Sequence, residues 1–258
     1  MNKVAVLFVS HIINDEIVAR YEKLRHELPP NHELFWVFDA EGGNKEQAIS
    51  FSNQIRFYYF NANMISSLGY VGITNTLQGS LNFVIQRFGL DYPEYGFYWI
   101  VEYDVVFTGN WHKLFAHIDT FDSDLVSTHI EHYNVNNQGW YWWHPVTWMN
   151  VSYPQWKRIK SFNPIFRLSS RALLFMDTFL RGGNSGHYEM LMATALYNHG
   201  YTLLDMGGYG DFTPKELINR FYVSDTGVNN GTMRYRPIYK KINIEGLGVK
   251  DKLFHPIK

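Results

Sequence analysis

The apolar run Tyr98-Trp-Ile-Val-Glu-Tyr-Asp-Val-Val-Phe107 carries Glu102 and Asp104, two carboxylates one residue apart where a buried strand runs out. Alternate side chains of a strand share a face, so Glu102 and Asp104 are expected to project together and Tyr103 away from them. Carboxylates held side by side repel, and burial adds a desolvation cost, unless one is protonated or a hard cation with oxygen ligands lies between them. The pair is therefore a candidate ligand set for a divalent metal. The plainer alternative is a strand end emerging into water with two solvated acids.

A third acid, Glu189, follows the glycine-rich stretch Arg181-Gly-Gly-Asn-Ser-Gly-His-Tyr-Glu189 and falls in the first turn of an expected helix. There the helix dipole favours an anion, which by itself accounts for the residue as a capping charge. Asp39 closes a second apolar run, Glu33 to Asp39, and Ser10 and His11 follow a first, Val4 to Val9. A cluster of aromatic residues, Trp140, Tyr141, Trp142 and Trp143 with His144, lies in an Asn-rich stretch. The polar setting favours a partly exposed surface or lid over a core strand.

These residues need a frame. At 258 residues with 46% hydrophobic content, the chain is long enough for one large domain, 1–258, with a substantial core. Apolar runs alternate with amphipathic segments: Val4 to Val9, then a helix from Asp15 to Leu28; Glu33 to Asp39; Gln54 to Phe60; a helix around Gly79 to Phe88; then the acid-bearing strand. Asn110 opens another helix, followed by strands from Asp124 to Ile130 and Ile165 to Ser169. Ser170 to Leu180 and the segment up to Asn198 read as helices, and Tyr201 to Asp205 as a late strand. The pattern predicts an α/β fold, a mainly parallel central sheet flanked by helices. Ligands of such sheets bind beyond the carboxyl ends of the strands, where Ser10, Asp39, Glu102 and Asp104 fall. Loops and short elements are expected from Met206 to Lys241, and a long loop from Glu131 to Tyr153.

Net charge is -1, which gives no broad basic surface, so nucleic acid is not an expected partner. The absence of cysteine excludes disulfides, thiolate metal sites and a cysteine nucleophile. No apolar stretch is long enough to span a bilayer, and the N-terminal run lacks a cleavage pattern. The expected location is the cytoplasm, with peripheral association at the inner face of the membrane compatible with it.

In order along the chain, Tyr98-Trp-Ile-Val-Glu-Tyr-Asp104, Phe107-Thr-Gly-Asn-Trp111, Asn163-Pro-Ile-Phe-Arg-Leu-Ser169, Gly186-His-Tyr-Glu189 and a terminal Phe254-His-Pro256 resemble the GT-A class of glycosyltransferases. The resemblance is closest to bacterial surface-polysaccharide enzymes of the capsule or O-antigen type. It implies a Rossmann-like nucleotide-diphospho-sugar transferase fold, with a donor part at about 1–110 and an acceptor part at about 111–258. It also implies Mn²⁺ or Mg²⁺ held against the donor diphosphate by Asp104, by Glu102 directly or through water, and by His255.

The same resemblance implies Glu189 as the general base that deprotonates an acceptor hydroxyl with inversion, with His187 in reserve. Gly186, with Gly182 and Gly183, lets the backbone approach a sugar. Ser10, His11 and Asp39 are expected on the nucleotide, and Trp140, Trp142 and Trp143 as a platform for the acceptor sugar, flanked by His129 and Glu131. The implied donor is a UDP-sugar, with UDP-galactofuranose among the candidates, and the acceptor a saccharide or lipid-linked saccharide. Arg56, Arg87, Arg167 and Arg171 are candidate phosphate contacts. Two other readings of the residues stay open: a nucleotidyltransferase using the same carboxylates, and a carbohydrate-binding protein with a structural ion.

Overall fold

The computed structural model describes residues 3–39, 41, 50, 55–71, 81–143, 153–224, 231–236, 238–239 and 248–258. His144, Gln54, Gly79 and the stretches around them lie outside these residues. Strands β1 (Val4–Ser10), β2 (His32–Asp39), β3 (Phe57–Phe60), β4 (Phe97–Glu102), β6 (Leu125–His132), β7 (Ile159–Ser169) and β8 (Leu203–Asp205) form a seven-stranded sheet in the order β3-β2-β1-β4-β7-β6-β8. All neighbours run parallel except β7, which is antiparallel to both β4 and β6. The chain thus forms the α/β architecture expected, a mainly parallel sheet covered by helices.

Alternation along the strands sends residues to two cores. Leu7, Val9, Val37, Tyr98 and Ile100 pack on one face, and Phe8, Trp36, Trp99 and Val101 on the other. The first face is covered by helices α3 (Leu81–Asp91), α5 (Ser170–Arg181) and α6 (Tyr188–Asn198), the second by α1 (Asp15–His26) and α4 (Trp111–Ile118). A short helix α2 (Ala62–Ser66) packs beside α3. Side-chain caps start α1, α4 and α5: Asn14 Oδ1 accepts from Ile17 N, Asn110 Oδ1 from His112 N, and Ser169 Oγ from Ala172 N.

Strand β7 begins six residues before the expected Ile165. Pro164 reads as a breaker, but the register pairs skip it: Ile165 to Ser169 pair with β4, while Ile159, Lys160 and Phe162 pair with β6. A proline is tolerated where no ladder bond is asked of its nitrogen. The acid-bearing edge is aligned by register, with Val9 opposite Glu102 and Ser10 opposite Phe38. No helix among the described residues is long and apolar enough to cross a membrane.

Candidate active site

Strand β4 ends at Glu102, and the next residues form a tight turn in which Val105 N donates to Glu102 O at 3.0 Å. Asp104 therefore sits in a turn, not on the shared strand face that alternation predicts. The turn nevertheless folds its carboxylate back beside Glu102. Glu102 itself follows Ile100 by two residues and so faces the helix layer that contains α6.

The chain terminus supplies the third member. A two-stranded ribbon pairs β5 (Val106–Phe107) with β9 (Leu253–Phe254), setting Val106 against Phe254. Gly109 is required for this approach, because an added Cβ would collide with the Asp251 carboxylate and the Phe107 ring. Beyond the ribbon, Ile257 N donates to Asp104 O at 3.0 Å. Arg20 of α1 donates to Tyr103 O at 2.9 Å and Ile257 O at 3.3 Å, tying turn and tail together.

Glu102, Asp104 and His255 each offer one ligand atom, all within 4.8 Å of one another. His255 Nδ1 lies 2.8 Å from Arg234 O. A carbonyl only accepts, so Nδ1 carries a proton, and the ring in its neutral form presents its Nε2 lone pair to the cluster. Nε2 is 3.5 Å from Asp104 Oδ1, an ion-pair separation, and that buried oxygen has no hydrogen-bond partner among the described residues. Lys258 Nζ stands 4.0 Å from Asp104 Oδ2. Two carboxylates, one of them with its buried oxygen orphaned, and one imidazole are a donor set that fits Mn²⁺, with Mg²⁺ served less well by the nitrogen.

Without a metal the cluster holds its protons tightly. Burial pushes the Glu102 carboxyl up to about 8, opposed by His255 and reinforced by the charges of Asp104 and Glu189. Burial works against a charged His255, but Asp104 and then Glu102 outweigh it and raise its basicity. The influence of Glu189 on Glu102 places the two acids within electrostatic reach of each other.

Glu189 opens α6, which packs along β7. Its Oε1 accepts from Asn163 N at 3.2 Å, and its carbonyl accepts from Ser161 Oγ at 3.0 Å. Burial lifts the carboxyl to about 7, partly offset by that N–H and by Lys160. His187 Nδ1 lies 3.7 Å from Glu189 Oε2 and has no hydrogen bond among the described residues. Burial holds the imidazole down at about 4. Trp142 stacks over that ring at 3.9 Å between centroids, with 12° between the planes.

The remaining candidates are dispersed. Trp143 is fully buried, with its Nε1 donating to Asn137 O at 2.8 Å, so it anchors the loop and is removed from the acceptor platform. Trp140 and Trp142 keep partial exposure. The Ser10 hydroxyl is buried and bonded to both Ile12 O and Ile12 N, which occupies it within its own turn. His11 stands edge-on to Tyr103 at 5.3 Å, and Asp39 accepts from Glu41 N at 2.9 Å. An added Cβ on Gly186 would meet Leu191 at an ordinary 3.8 Å, so protein packing alone does not demand glycine there.

None of the four arginines named as phosphate contacts is drawn to the cluster. Arg56 pairs with Glu33, Arg87 with Asp91 and Arg171 with Asp124. Arg167 is fully buried on β7 and donates to Phe121 O at 2.7 Å and Ser123 O at 3.2 Å. Their partners are acids and carbonyls of the scaffold. Sequence reasoning did not single out Arg20 or Arg234. Both act through backbone carbonyls or their own carbonyl, for which no residue pattern exists.

A family model described as "Protein of unknown function (DUF3405)" matches residues 52–125, less than half of the chain. No curated protein matches the chain. Among solved structures, the chain is similar to mouse xyloside xylosyltransferase 1 in its apo form, with 12% identity, 80% of this chain and 85% of that chain covered, and a TM-score of 0.43. It is also similar to a Bacillus anthracis protein described as a glucose-1-phosphate thymidylyltransferase in complex with sucrose, with 14% identity, 80% and 87% coverage, and a TM-score of 0.44. At these identities and scores neither structure assigns an activity to this chain.

Proposed function

We propose that the chain is a metal-dependent glycosyltransferase that moves a sugar from a nucleotide-diphosphate sugar, a UDP-sugar first among candidates, to a saccharide hydroxyl with inversion. The observation that carries this reading is the Glu102, Asp104 and His255 cluster, within electrostatic reach of a buried carboxyl lifted to about 7. Asp104 and His255 would hold the ion, and Glu102 would bind it directly or through water. The ion, when bound, neutralises charge on the departing diphosphate. Lys258, partly exposed beside Asp104, adds a positive charge on the same side.

Glu189 is the base in this reading. Its carboxylate takes the proton of the acceptor hydroxyl as that oxygen bonds to the anomeric carbon, and the bond to the diphosphate oxygen breaks with its electron pair. A base with a pKa near 7 is ionised in useful amount at neutral pH and still strong enough to take the proton. His187, held at about 4, is the weaker base and falls to a supporting place against the carboxylate. Trp142 and Trp140 supply aromatic surface for an acceptor, a saccharide or lipid-linked saccharide of surface polysaccharide synthesis in the cytoplasm.

A panel of nucleotide sugars, UDP-galactofuranose included, incubated with Mn²⁺ tests the reading. Slow release of the nucleoside diphosphate, lost on chelation, is the expected result. Pyrophosphate release from a nucleoside triphosphate and a sugar phosphate would assign nucleotidyl transfer instead, and binding of glycans with neither reaction would leave a carbohydrate-binding protein.

A further inference from the structure

His129 stands outside the cluster, yet the geometry points to it as a positioning residue for His255; this inference rests on the metal reading above. Between Thr128, opposite Phe162, and Glu131, opposite Lys160, strand β6 has two residues where β7 has one, so the strand bulges at His129 and Ile130. His129 takes φ 49, in the left-handed region that side chains with a Cβ rarely adopt.

Two buried groups hold that conformation. Tyr222 OH accepts from His129 N at 2.9 Å and donates to Asp205, whose Oδ2 accepts from Ile130 N at 2.8 Å. Asp205 also accepts from Gly207 N and Gly208 N, so its carboxylate is fully engaged. The displaced amides of the bulge are thus satisfied by the interior, a costly arrangement that persists where the aim of the side chain is used.

That aim is towards the segment that carries His255. His129 Nε2 donates to Met233 O at 2.8 Å, since a carbonyl can only accept. Met233 forms a parallel bridge with His255, His255 N donates to Thr232 O at 3.0 Å, and Arg234 N donates to His255 O at 3.2 Å. The next carbonyl in that segment, Arg234 O, takes the Nδ1 proton of His255 and so sets which nitrogen faces the carboxylates. The His129 side chain therefore fastens to the sheet the strap that orients the metal-binding imidazole.

The variants His129→Gln and His129→Leu share the backbone cost of φ above zero but differ in the donor. Glutamine can place an amide N–H near the Nε2 position, and leucine cannot. Mn²⁺ binding is read from the paramagnetic resonance signal of the free ion, and melting temperature is read without metal. Expected are a loss of Mn²⁺ affinity of about tenfold or more in H129L, within the range that outer contacts to metal ligands carry, and recovery of most of it in H129Q. Equal Mn²⁺ affinity in wild type and H129L, or equal losses in H129L and H129Q, would overturn the proposal. Absence of Mn²⁺ binding by the wild type would instead overturn the metal reading, and this inference with it.

Should H129L fail to fold, nitrogen NMR of the wild type decides the matter. The proton is expected on Nε2 of His129 and on Nδ1 of His255, and the opposite tautomer at either ring would overturn the proposal.

Discussion

Asp104 Oδ1 faces His255 Nε2 at 3.5 Å, and neither atom has a hydrogen bond to anything else among the described residues. With the other ring proton fixed on Nδ1, the neutral imidazole and the carboxylate meet as two acceptors. Something positive must lie between them, a proton or a metal ion. Glu102 completes the competition, because burial leaves it protonated up to about 8.

Metal binding should therefore release protons. Mn²⁺ titrations by calorimetry near neutral pH, repeated in buffers of different ionisation enthalpy, are expected to show net proton release and an affinity that climbs from pH 6 to 8. Heat independent of the buffer would mean that the ion does not displace protons from Glu102 and His255.

The same groups set a slope in stability. Glu189 is raised from 4.5 to about 7 and Glu102 from 4.5 to about 8, so the folded chain keeps protons that the unfolded chain has lost. Their contribution is full below the unfolded value and disappears as pH rises through the folded ones. Below about pH 6.5 the buried neutral imidazoles of His187 and His32, both held down at about 4, pull the other way, so metal-free protein should lose melting temperature between pH 7 and 8, and saturating Mn²⁺ should flatten that decline. A metal-free melting temperature that rises across this interval would contradict the burial of these carboxyls.

Glu189→Gln keeps size and most hydrogen bonding while removing basicity. Donor binding should persist and transfer fall by roughly a hundred- to ten-thousand-fold. Because Gln also removes the cost of a buried charge, the melting temperature at pH 8 should hold or rise. If the residue only complements the helix dipole, turnover would stay near wild type and stability would fall by about 0.3 to 1 kcal/mol. That outcome would move the base elsewhere.

His187 offers a check on the aromatic loop. Its imidazole is held at about 4 by burial, and Trp142 lies flat on it. In Trp142→Ala the ring gains water, and its titration by NMR should shift up towards the ordinary histidine value of about 6.5. No shift would show that other groups bury His187 and that Trp142 is not its cover.

The sequence reaches the parts of this site that rest on local chemistry. The strand-ending acids, the helix opened by Asn110 and the acid in the first turn of α6 are all written in short patterns, and each lies on the element expected except Asp104, which falls in the turn just after β4. Two kinds of information escape it. One is pairing at long range: nothing in Leu253-Phe-His-Pro256 shows that the segment lies against Val106 and Phe107, which depends on Gly109 leaving room. The other is burial within a polar loop. Trp142 and Trp143 have the same type and setting, yet one covers His187 and the other fills the loop interior. The arginines fail for a related reason, since a basic side chain carries no mark of whether its acceptor is a phosphate or, as for Arg167, a ring of backbone carbonyls.

The most direct measurement is Mn²⁺ binding by paramagnetic resonance at near-neutral pH, on wild type and Asp104→Asn, with and without UDP. The expected result is binding of one ion by the wild type, tighter in the presence of UDP. A loss of about tenfold or more is expected in D104N, with its metal-free melting temperature read alongside to show that the variant is folded. Wild-type protein that binds no Mn²⁺, or D104N that binds it as tightly as wild type, would contradict the claim that this cluster is a metal site.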